Sequence, residues 1–539
     1  MNLHKIIIIS LSVIMCLDGW SQGDVAVNHY TGTALVNIPI GTVRDKDLAT
    51  NVSLSYAASG IKVEQQAGLV GLGWNLSAGG TISRDVRGLP DDVDMSGTRP
   101  RKGWLVDSIH TDVGNFSNST NQTDGNCDNE VTTWGKLNTL YGDYEHDTEP
   151  DIFYFNFSGY SGKFVFDNSG MIKTIPYVDF KIDYTQNASN LITSFTITTQ
   201  DGTEYVFSKH DEITVRAYIS HPIGGVTGAN PQYFLKDYLY YEYQDVDYYS
   251  TWYLEEINSA TTDAQIEFNY IFATDAVYDE PVEMMVADSS ANYTPAVELI
   301  YFKRYHLDRQ VLSSITTSFG NQIKFTYSVE SSEGELSRQL DDISVYHGES
   351  GTTSLIREYD LTFQDLGFTF KDSIPYARKF LKMVQEKSGT NKLPPYEFEY
   401  YGIDWTSGST SAFPIEANSG ARDYWGFYNG IAQLLKGPEL YVYTGESNVD
   451  TYRLYDLPGH SGNEYTLKGS DRAPRESYTK MASLNRITWP SGGQTMLFYE
   501  THKYRDDAAS TNQFGGGIRL AMQVAYDGCL LYTSPSPRD

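Results

Sequence analysis

The chain has 539 residues, and its 40 lysines and arginines stand against 69 aspartates and glutamates, which gives a formal net charge of −29 at pH 7. A charge this negative argues against a nucleic-acid groove or an anionic membrane surface as a partner. Aromatic residues make up 14% of the chain, with 42 tyrosines, and such residues favour the pleated surface of strands. The composition therefore predicts an all-β protein, and the length allows several domains.

Residues 1–21 have the pattern of a secretory signal peptide: a charge at Lys5, an apolar stretch over residues 6–15 and a small-x-small site ending at Ser21. A lipid anchor at Cys16 is the less favoured alternative, because Met15 stands where such a site needs a small residue. No later stretch reaches the roughly 18 apolar residues of a spanning helix. We therefore expect a secreted or cell-surface protein with no transmembrane span.

The glycine-rich stretch of residues 68–92 has Trp74 at its centre, and we expect this indole to fill the core of a compact β module. Gly71, Gly73, Gly79 and Gly80 surround it. Glycine adopts positive φ angles and lets another backbone come close, so these positions predict tight turns. These five residues are the structural positions that the sequence singles out.

Alternation of apolar and polar residues predicts the strands of this module. Residues 34–40 and 52–56 alternate and predict two strands. Residues 74–76 and 81–83 alternate on either side of Gly79-Gly80, which predicts a β-hairpin. We place this N-terminal module at residues 22–94.

Residues 95–149 are polar with little periodicity, and we expect an irregular insertion there. Strands follow at residues 151–157 and 163–166, which predict a hairpin. Because both faces of the first of these strands are largely apolar, we expect it to be covered on both sides. Asp201-Gly202 predicts another hairpin.

An internal pattern then recurs: Leu-x-x-Ile, a turn, and a second strand that ends in tyrosine. The distance from isoleucine to tyrosine is 13 or 12 residues in the clear copies, and weaker copies begin at Leu340 and Leu381. One hairpin alone is marginally stable, so the copies must pair into a continuous sheet. The clear copies are Leu254/Ile257/Tyr270, Leu312/Ile315/Tyr327 and Leu484/Ile487/Tyr499.

Ordered sequence blocks in this chain resemble the amino-terminal region of secreted Rhs/YD-repeat proteins of Bacteroidetes bacteria. That region is in turn similar to the β-rich N-terminal part of insecticidal toxin-complex proteins. The blocks are Tyr30-Thr31-Gly32, Val36-Asn37-Ile38-Pro39, Leu54-Ser55-Tyr56, Gly60-Ile61-Lys62-Val63, Gly71-Leu72-Gly73-Trp74, Gly79-Gly80, residues 87–92, residues 423–430, Asp471-Arg472, residues 489–493 and residues 515–519.

The resemblance implies that the hairpins at residues 150–400 are degenerate YD repeats forming the wall of a hollow shell. It also implies that residues 401–528 are a further, incomplete Rhs-like β region. Residues 529–539 resemble translated sequencing adapter, so we expect an artefact there and a truncated chain. A natural Ser/Pro tail is the alternative.

Several weak motifs are better explained as turns or scattered side chains. The glycines at 68–73 lack the order of a dinucleotide loop, and Gly159–Gly162 and Gly459–Gly462 do not satisfy G-x-S-x-G. No H-E-x-x-H motif occurs, and Cys127 has no cysteine neighbour at zinc spacing. The sequence thus predicts no catalytic residue and no bound organic cofactor.

Asp91, Asp92 and Asp94 form the acidic group we single out as candidate Ca²⁺ ligands, because hard carboxylate oxygens bind calcium outside the cell. A solvated acidic loop is the favoured alternative.

Two function classes remain. One is a non-enzymatic scaffold that presents or encloses its own C-terminal effector. The other is a secreted carbohydrate-binding or carbohydrate-active β protein, with glycans or cell-surface proteins as partners.

Overall fold

The computed structural model describes the parts of the chain listed at the end of this paragraph. Within them the predicted all-β fold is confirmed, since strands dominate and the helical part is a single turn-like segment. Most of the predicted insertion at residues 95–149 lies outside the described residues. The described residues are 25–95, 101–106, 147, 149–222, 246–285, 298–332, 335–349, 352–371, 374–405, 409–410, 413, 419–431, 440–442, 465–467, 471–506, 511–526 and 531–535.

The strands are numbered in chain order. They are β1 Ala26–Val27, β2 Ala34–Asp45, β3 Leu48–Ala58, β4 Trp74–Ser77, β5 Gly80–Asp85, β6 Asp94–Met95, β7 Arg101–Lys102, β8 Ile152–Phe157, β9 Tyr160–Phe166, β10 Ile172–Ile175, β11 Lys181–Gln186, β12 Ile192–Thr198, β13 Glu204–Pro222, β14 Val246–Asn258 and β15 Gln265–Met285. They continue with β16 Glu298–Thr317, β17 Gln322–Ser332, β18 Glu335–Glu349, β19 Thr352–Lys371, β20 Ile374–Ser388, β21 Asn391–Lys392, β22 Tyr396–Tyr400, β23 Ile403–Asp404, β24 Ser409–Thr410, β25 Leu440–Val442, β26 Tyr465–Leu467, β27 Leu484–Thr488, β28 Gln494–Asp506, β29 Thr511–Tyr526 and β30 Leu531–Pro535. Helix α1 is Glu476–Thr479.

The first sheet has the order β1-β2-β3-β4. Strands β2 and β3 form the predicted pair, with Ile38 opposite Leu54. Along both strands every second side chain is buried, as the alternation in the sequence requires. This buried face is one wall of the core.

The hairpin predicted around Gly79-Gly80 is wrong. Strand β4 pairs with β3 of the first sheet, whereas β5 pairs with β8 and β14 of the large sheet. The two glycines carry the chain from one sheet to the other. Alternation shows that a strand has a buried face, but it does not identify the strand's partner.

The large sheet is a succession of antiparallel neighbours. Strands β11 to β20 pair in chain order, followed by β22, β27, β28, β29 and β30. Strands β5, β8, β9 and β10 form a branch from β14. Strand β16 also pairs with β13, so the pairings of β13 to β16 close on themselves. The expected continuous sheet of hairpins is therefore present, and residues 531–535 of the tail form its last strand.

Each repeated Leu-x-x-Ile segment carries a bulge in its strand. The register shifts directly after Leu312, where Tyr270 pairs with Leu312 and Asn269 pairs with Ser314. The same shift follows Leu340 and Leu484. A bulge leaves one residue outside the ladder and twists the strand locally, so the repeats share this bend.

In four of the five copies, the tyrosine that ends the repeat donates a hydrogen bond to the leucine that begins it. The Tyr270 hydroxyl donates to the Leu254 carbonyl at 2.6 Å, and Tyr327 donates to Leu312 at 2.7 Å. Equivalent bonds of 2.7 Å run from Tyr400 to Leu381 and from Tyr499 to Leu484. We call these the tyrosine–leucine bonds. They satisfy a backbone acceptor beside each bulge and explain why tyrosine recurs there.

The aromatic strand β8 differs from expectation on one face. Phe153, Phe155 and Phe157 are buried, whereas Tyr154 on the opposite face is 43% exposed. The expected covering of both faces is therefore wrong. The predicted hairpin with β9 is confirmed, and its loop is tighter than expected because β9 already begins at Tyr160. In the described chain, no helix has the length and apolar character needed to cross a membrane.

Candidate functional site

Trp74 joins the two sheets, and its predicted burial is confirmed: it is 2% exposed. Its ring lies 4.7 Å from that of Phe398 and 5.3 Å from that of Tyr56, measured between centroids. Its indole N–H donates to the Tyr400 hydroxyl at 2.8 Å, and Tyr400 in turn donates to the Leu381 carbonyl. The first sheet is thus connected through Trp74 to one of the tyrosine–leucine bonds.

The glycines around Trp74 have positive φ or close neighbours. Gly71, Gly73 and Gly79 have φ angles of 92°, 81° and 76°, which side chains other than glycine rarely adopt. A Cβ on Gly73 would lie 2.5 Å from the Tyr56 ring, and a Cβ on Gly80 would collide with Phe157. These two contacts lie within the first sheet and within the large sheet, respectively. Gly71 allows the close approach between them, because a Cβ there would lie 2.9 Å from the Leu381 backbone nitrogen of the large sheet.

The structure separates the three candidate calcium ligands. Asp91 and Asp92 are fully buried, whereas Asp94 is exposed on β6. The Asp92 carboxylate accepts from Arg84 Nη1 at 2.8 Å and from the Ile192 backbone N–H at 2.7 Å. The two buried aspartates therefore have protein partners, and calcium binding at these three residues stays a prediction.

Asp91 forms hydrogen bonds with a residue that is distant in the sequence. Asp91 and Asp151 exchange two hydrogen bonds of 2.9 Å between each carboxylate and the other residue's backbone N–H. Asp147 accepts from the Leu89 backbone N–H at 3.1 Å. We call Arg84, Asp91, Asp92, Asp147 and Asp151 the carboxylate junction.

One guanidinium faces several carboxylates in this junction. Arg84 Nε lies 3.3 Å from Asp151 Oδ2, and both side chains are fully buried. The guanidinium also lies 5.0 Å from the Phe153 ring and 5.2 Å from the Trp252 ring. Within the described chain, Asp91 Oδ2 and Arg84 Nη2 are buried without a hydrogen-bond partner.

Burial sets the protonation of this junction, because desolvation disfavours the charged form of a carboxyl group. It raises the pKa of Asp147 to about 8 and that of Asp151 to about 6. The pKa of Asp91 is also raised, first by burial and then by the neighbouring Asp151 carboxylate. We therefore expect the stability of the junction to depend on pH.

A cavity of about 370 Å³ lies where β4 and the loop before it face the long strands. Asp211 is its most deeply buried charged group, 4% exposed. Tyr253 donates to its carboxylate at 2.7 Å, as does the backbone N–H of Gln310. Burial raises the pKa of Asp211 to about 6. The other lining residues are Gly68, Leu69, Val70, Trp74, Asn75, Leu76, Ala78, Thr81, Tyr270, Arg309, Val311 and Leu312.

Sequence blocks that lie far apart in the chain meet beside the first sheet. The Val63 backbone N–H donates to the Gly426 carbonyl at 2.8 Å, and the Ile518 N–H donates to the Ser59 carbonyl at 3.2 Å. These contacts bring residues 423–430 and 515–519 against residues 59–63. The fold therefore brings together three sequence blocks that are far apart in the chain.

The loop of residues 423–430 presents two aromatic side chains. Tyr424 is 62% exposed and Trp425 is 41% exposed. The Asp423 carboxylate accepts from the backbone N–H groups of Trp425 and Phe427 at 2.9 and 3.0 Å. Arg472 donates through Nε and Nη2 to the Asp423 carbonyl at 3.0 and 2.6 Å. These bonds connect the loop backbone to Asp423 and to Arg472.

Asp342, Glu358 and Asp360 bring their carboxylates together on neighbouring strands. Lys387 Nζ lies 3.0 Å from Glu358 and 2.6 Å from Asp360, so an ammonium group already supplies positive charge there.

The Gly159 motif forms the β8–β9 turn, and the Gly459 motif lies outside the described residues. Sequence reasoning missed Asp151 and Asp211 as members of polar clusters.

Comparison with known proteins gives limited similarity. No protein-family model matches the chain, and no curated protein matches it. A crystal structure of TcdB2-TccC3-TEV is similar over 72% of this chain and 17% of that chain, with 13% identity and a TM-score of 0.34. The N-terminal domain of effector protein SpvB from Salmonella typhimurium strain LT2 is similar over 66% of this chain and 98% of that chain, with 9% identity and a TM-score of 0.28. This chain thus spans about a sixth of the first structure's length, and these scores do not establish a shared family.

Proposed function

We propose that this chain is a non-enzymatic scaffold, exported from the cell, whose joined hairpins enclose or present an effector polypeptide that follows them. The observation that carries the proposal is that the repeat tyrosines form hydrogen bonds within the sheet. Their hydroxyls bond to leucine carbonyls within the sheet, so these side chains build the wall. The sequence resemblance to secreted Rhs/YD-repeat proteins supports the same function.

The test starts from the natural reading frame, determined by long-read sequencing past residue 528. The encoded protein is expressed with and without residues 22–528, and the trypsin half-life of the downstream region is compared. An enclosing wall predicts that the downstream region is cleaved much more slowly when the wall is present. Equal cleavage rates, or a genuine stop codon directly after residue 539, would contradict the proposal.

A second function is favoured by one observation, the exposed pair Tyr424 and Trp425 on a loop held by Asp423 and Arg472. Aromatic faces on a rigid loop suit the stacking of a sugar ring, which would make this surface a carbohydrate-binding site. A glycan array with the wild-type chain and Trp425→Ala tests it. Binding that disappears in the variant would support this function, and no binding by the wild-type chain would remove it.

A further inference from the structure

The cavity between the first sheet and the long strands holds two side chains of opposite charge against an otherwise largely apolar wall. Asp211 comes from β13 and Arg309 from β16, and the apolar lining includes Leu76 and Val311. A cavity of about 370 Å³ is large enough for a small molecule. The two charges indicate what kind of ligand the cavity could bind.

The Asp211 carboxylate is oriented but not saturated. Among the described residues, each of its oxygens accepts one hydrogen bond, from the Tyr253 hydroxyl and from the Gln310 backbone N–H, both at 2.7 Å. An ionised carboxylate offers about four acceptor positions. The remaining positions can accept from a donor group such as an ammonium.

Arg309 supplies the complementary charge. Its side chain is half-buried, and it forms no ion pair or hydrogen bond of its own with any residue in the described part of the chain. Burial raises the pKa of Asp211, and the positive charge of Arg309 is close enough to offset part of this rise. The two groups do not form a direct ion pair. A planar guanidinium whose N–H groups have no partner among the described residues is well suited to a carboxylate.

We propose that this cavity binds a small zwitterion, an α-amino acid with an aliphatic side chain. The ammonium would donate to Asp211, the carboxylate would accept from Arg309, and the side chain would contact Leu76 and Val311. One molecule would bridge the gap between two charges that the protein does not pair. Because Leu76 belongs to the first sheet and Asp211 and Arg309 to the large sheet, the ligand would contact both sheets.

The test uses three matched probes on the complete chain, with isothermal titration calorimetry at pH 7.5. L-leucine carries both charges, 3-methylbutylamine lacks the carboxylate, and 4-methylpentanoate lacks the ammonium. We expect leucine to bind at least about tenfold more tightly than either analogue, since each lost charged contact costs about 1.4 kcal/mol or more. No binding of any aliphatic amino acid at 10 mM, a probe concentration chosen to detect about millimolar affinity, would overturn the proposal.

Two variants and one control locate the site. Arg309→Met and Asp211→Asn should each weaken leucine binding at least about tenfold. Arg44→Met changes an exposed arginine on β2, outside the cavity lining, and should leave the affinity unchanged. Circular dichroism and melting curves identify a variant that has failed to fold, and the analogue ratios in the wild-type chain then decide the question. Leucine binding that Arg309→Met leaves intact, or amine binding as tight as that of leucine, would contradict the site.

Discussion

The repeated hairpins and the carboxylate junction both contain buried polar groups, and they satisfy these groups in different ways. In four of the hairpins, the leucine carbonyl beside the bulge accepts a hydrogen bond from an uncharged tyrosine hydroxyl. In the junction, the Arg84 guanidinium contacts the Asp92 and Asp151 carboxylates, and Asp91 Oδ2 and Arg84 Nη2 are buried without a hydrogen-bond partner among the described residues. A neutral hydrogen bond between buried groups has a small desolvation penalty and can recur in every repeat. A buried charged group has a large desolvation penalty. We therefore expect the junction to dominate the response to mutation and pH.

The largest expected effect is from Arg84→Met in the junction. Removing the guanidinium leaves several buried carboxylates without their cation, which typically costs about 3–5 kcal/mol of stability. Urea unfolding followed by tryptophan fluorescence measures the free energy of unfolding. Arg87→Met is the control, because its ion pair with Asp85 is about half exposed and should contribute about 0–1 kcal/mol. Equal effects of the two variants would contradict the distinction.

The second expected effect is that stability falls as pH rises. The pKa values of about 8 for Asp147 and about 6 for Asp151 lie above the unfolded value of about 3.9. The folded state therefore keeps protons that the unfolded state has lost, and this stabilisation disappears as pH passes about 6 and then about 8. The slope can reach about 1.4 kcal/mol per pH unit for each such proton.

Urea unfolding at intervals from pH 5 to pH 8.5 measures this slope. Carboxyl groups such as Asp47, whose pKa is lowered to about 2 by hydrogen bonds from Thr262 and Ser259, are ionised throughout this range and do not contribute. Asp147→Asn should flatten the slope. A free energy of unfolding that rises from pH 5 to pH 8 would show that the junction does not hold these protons.

A moderate effect is expected from Tyr400→Phe in the hairpins. This hydroxyl accepts from Trp74 and donates to Leu381, so its loss leaves two buried groups unpaired and should cost about 2–3 kcal/mol. Tyr327→Phe removes one bond and should cost about 1 kcal/mol. Tyr177→Phe is the control, because Tyr177 is 82% exposed. Chemical denaturation of the three variants should give this order, and an equal loss in all three would contradict the tyrosine–leucine bonds.

The smallest expected effect is a gain from Phe363→Tyr. Each bonding tyrosine stands four residues after the partner of the repeat's Ile or Val, as Tyr327 follows Ile323, the partner of Ile315. Phe363 has the same position after Tyr359, the partner of Ile343, and lacks only the hydroxyl. The substitution should stabilise the chain by about 0.5–1 kcal/mol. A loss of stability would mean that this repeat is built differently.

Local patterns predicted the hairpins because their partners are neighbours in sequence. The Leu-x-x-Ile segments and Asp201-Gly202 lie within a few residues of the strands they join. The wrong hairpin at Gly79-Gly80 has a physical reason: β4 and β5 each alternate, but their partners are distant in the chain. The junction could not be predicted either, because Asp91 meets Asp151 across 60 residues, while Asp94, its neighbour in sequence, points to solvent.

Native-state hydrogen exchange most directly tests the claim that the tyrosine–leucine bonds join the repeats into one wall. Amide protons of β14 to β28 are followed by mass spectrometry in the wild-type chain and in Tyr327→Phe. If the repeats open as one unit, their slowest amides share one opening free energy, and the substitution lowers it on both sides of β17. Separate opening free energies for each hairpin, with a change confined to β16 and β17, would contradict the account.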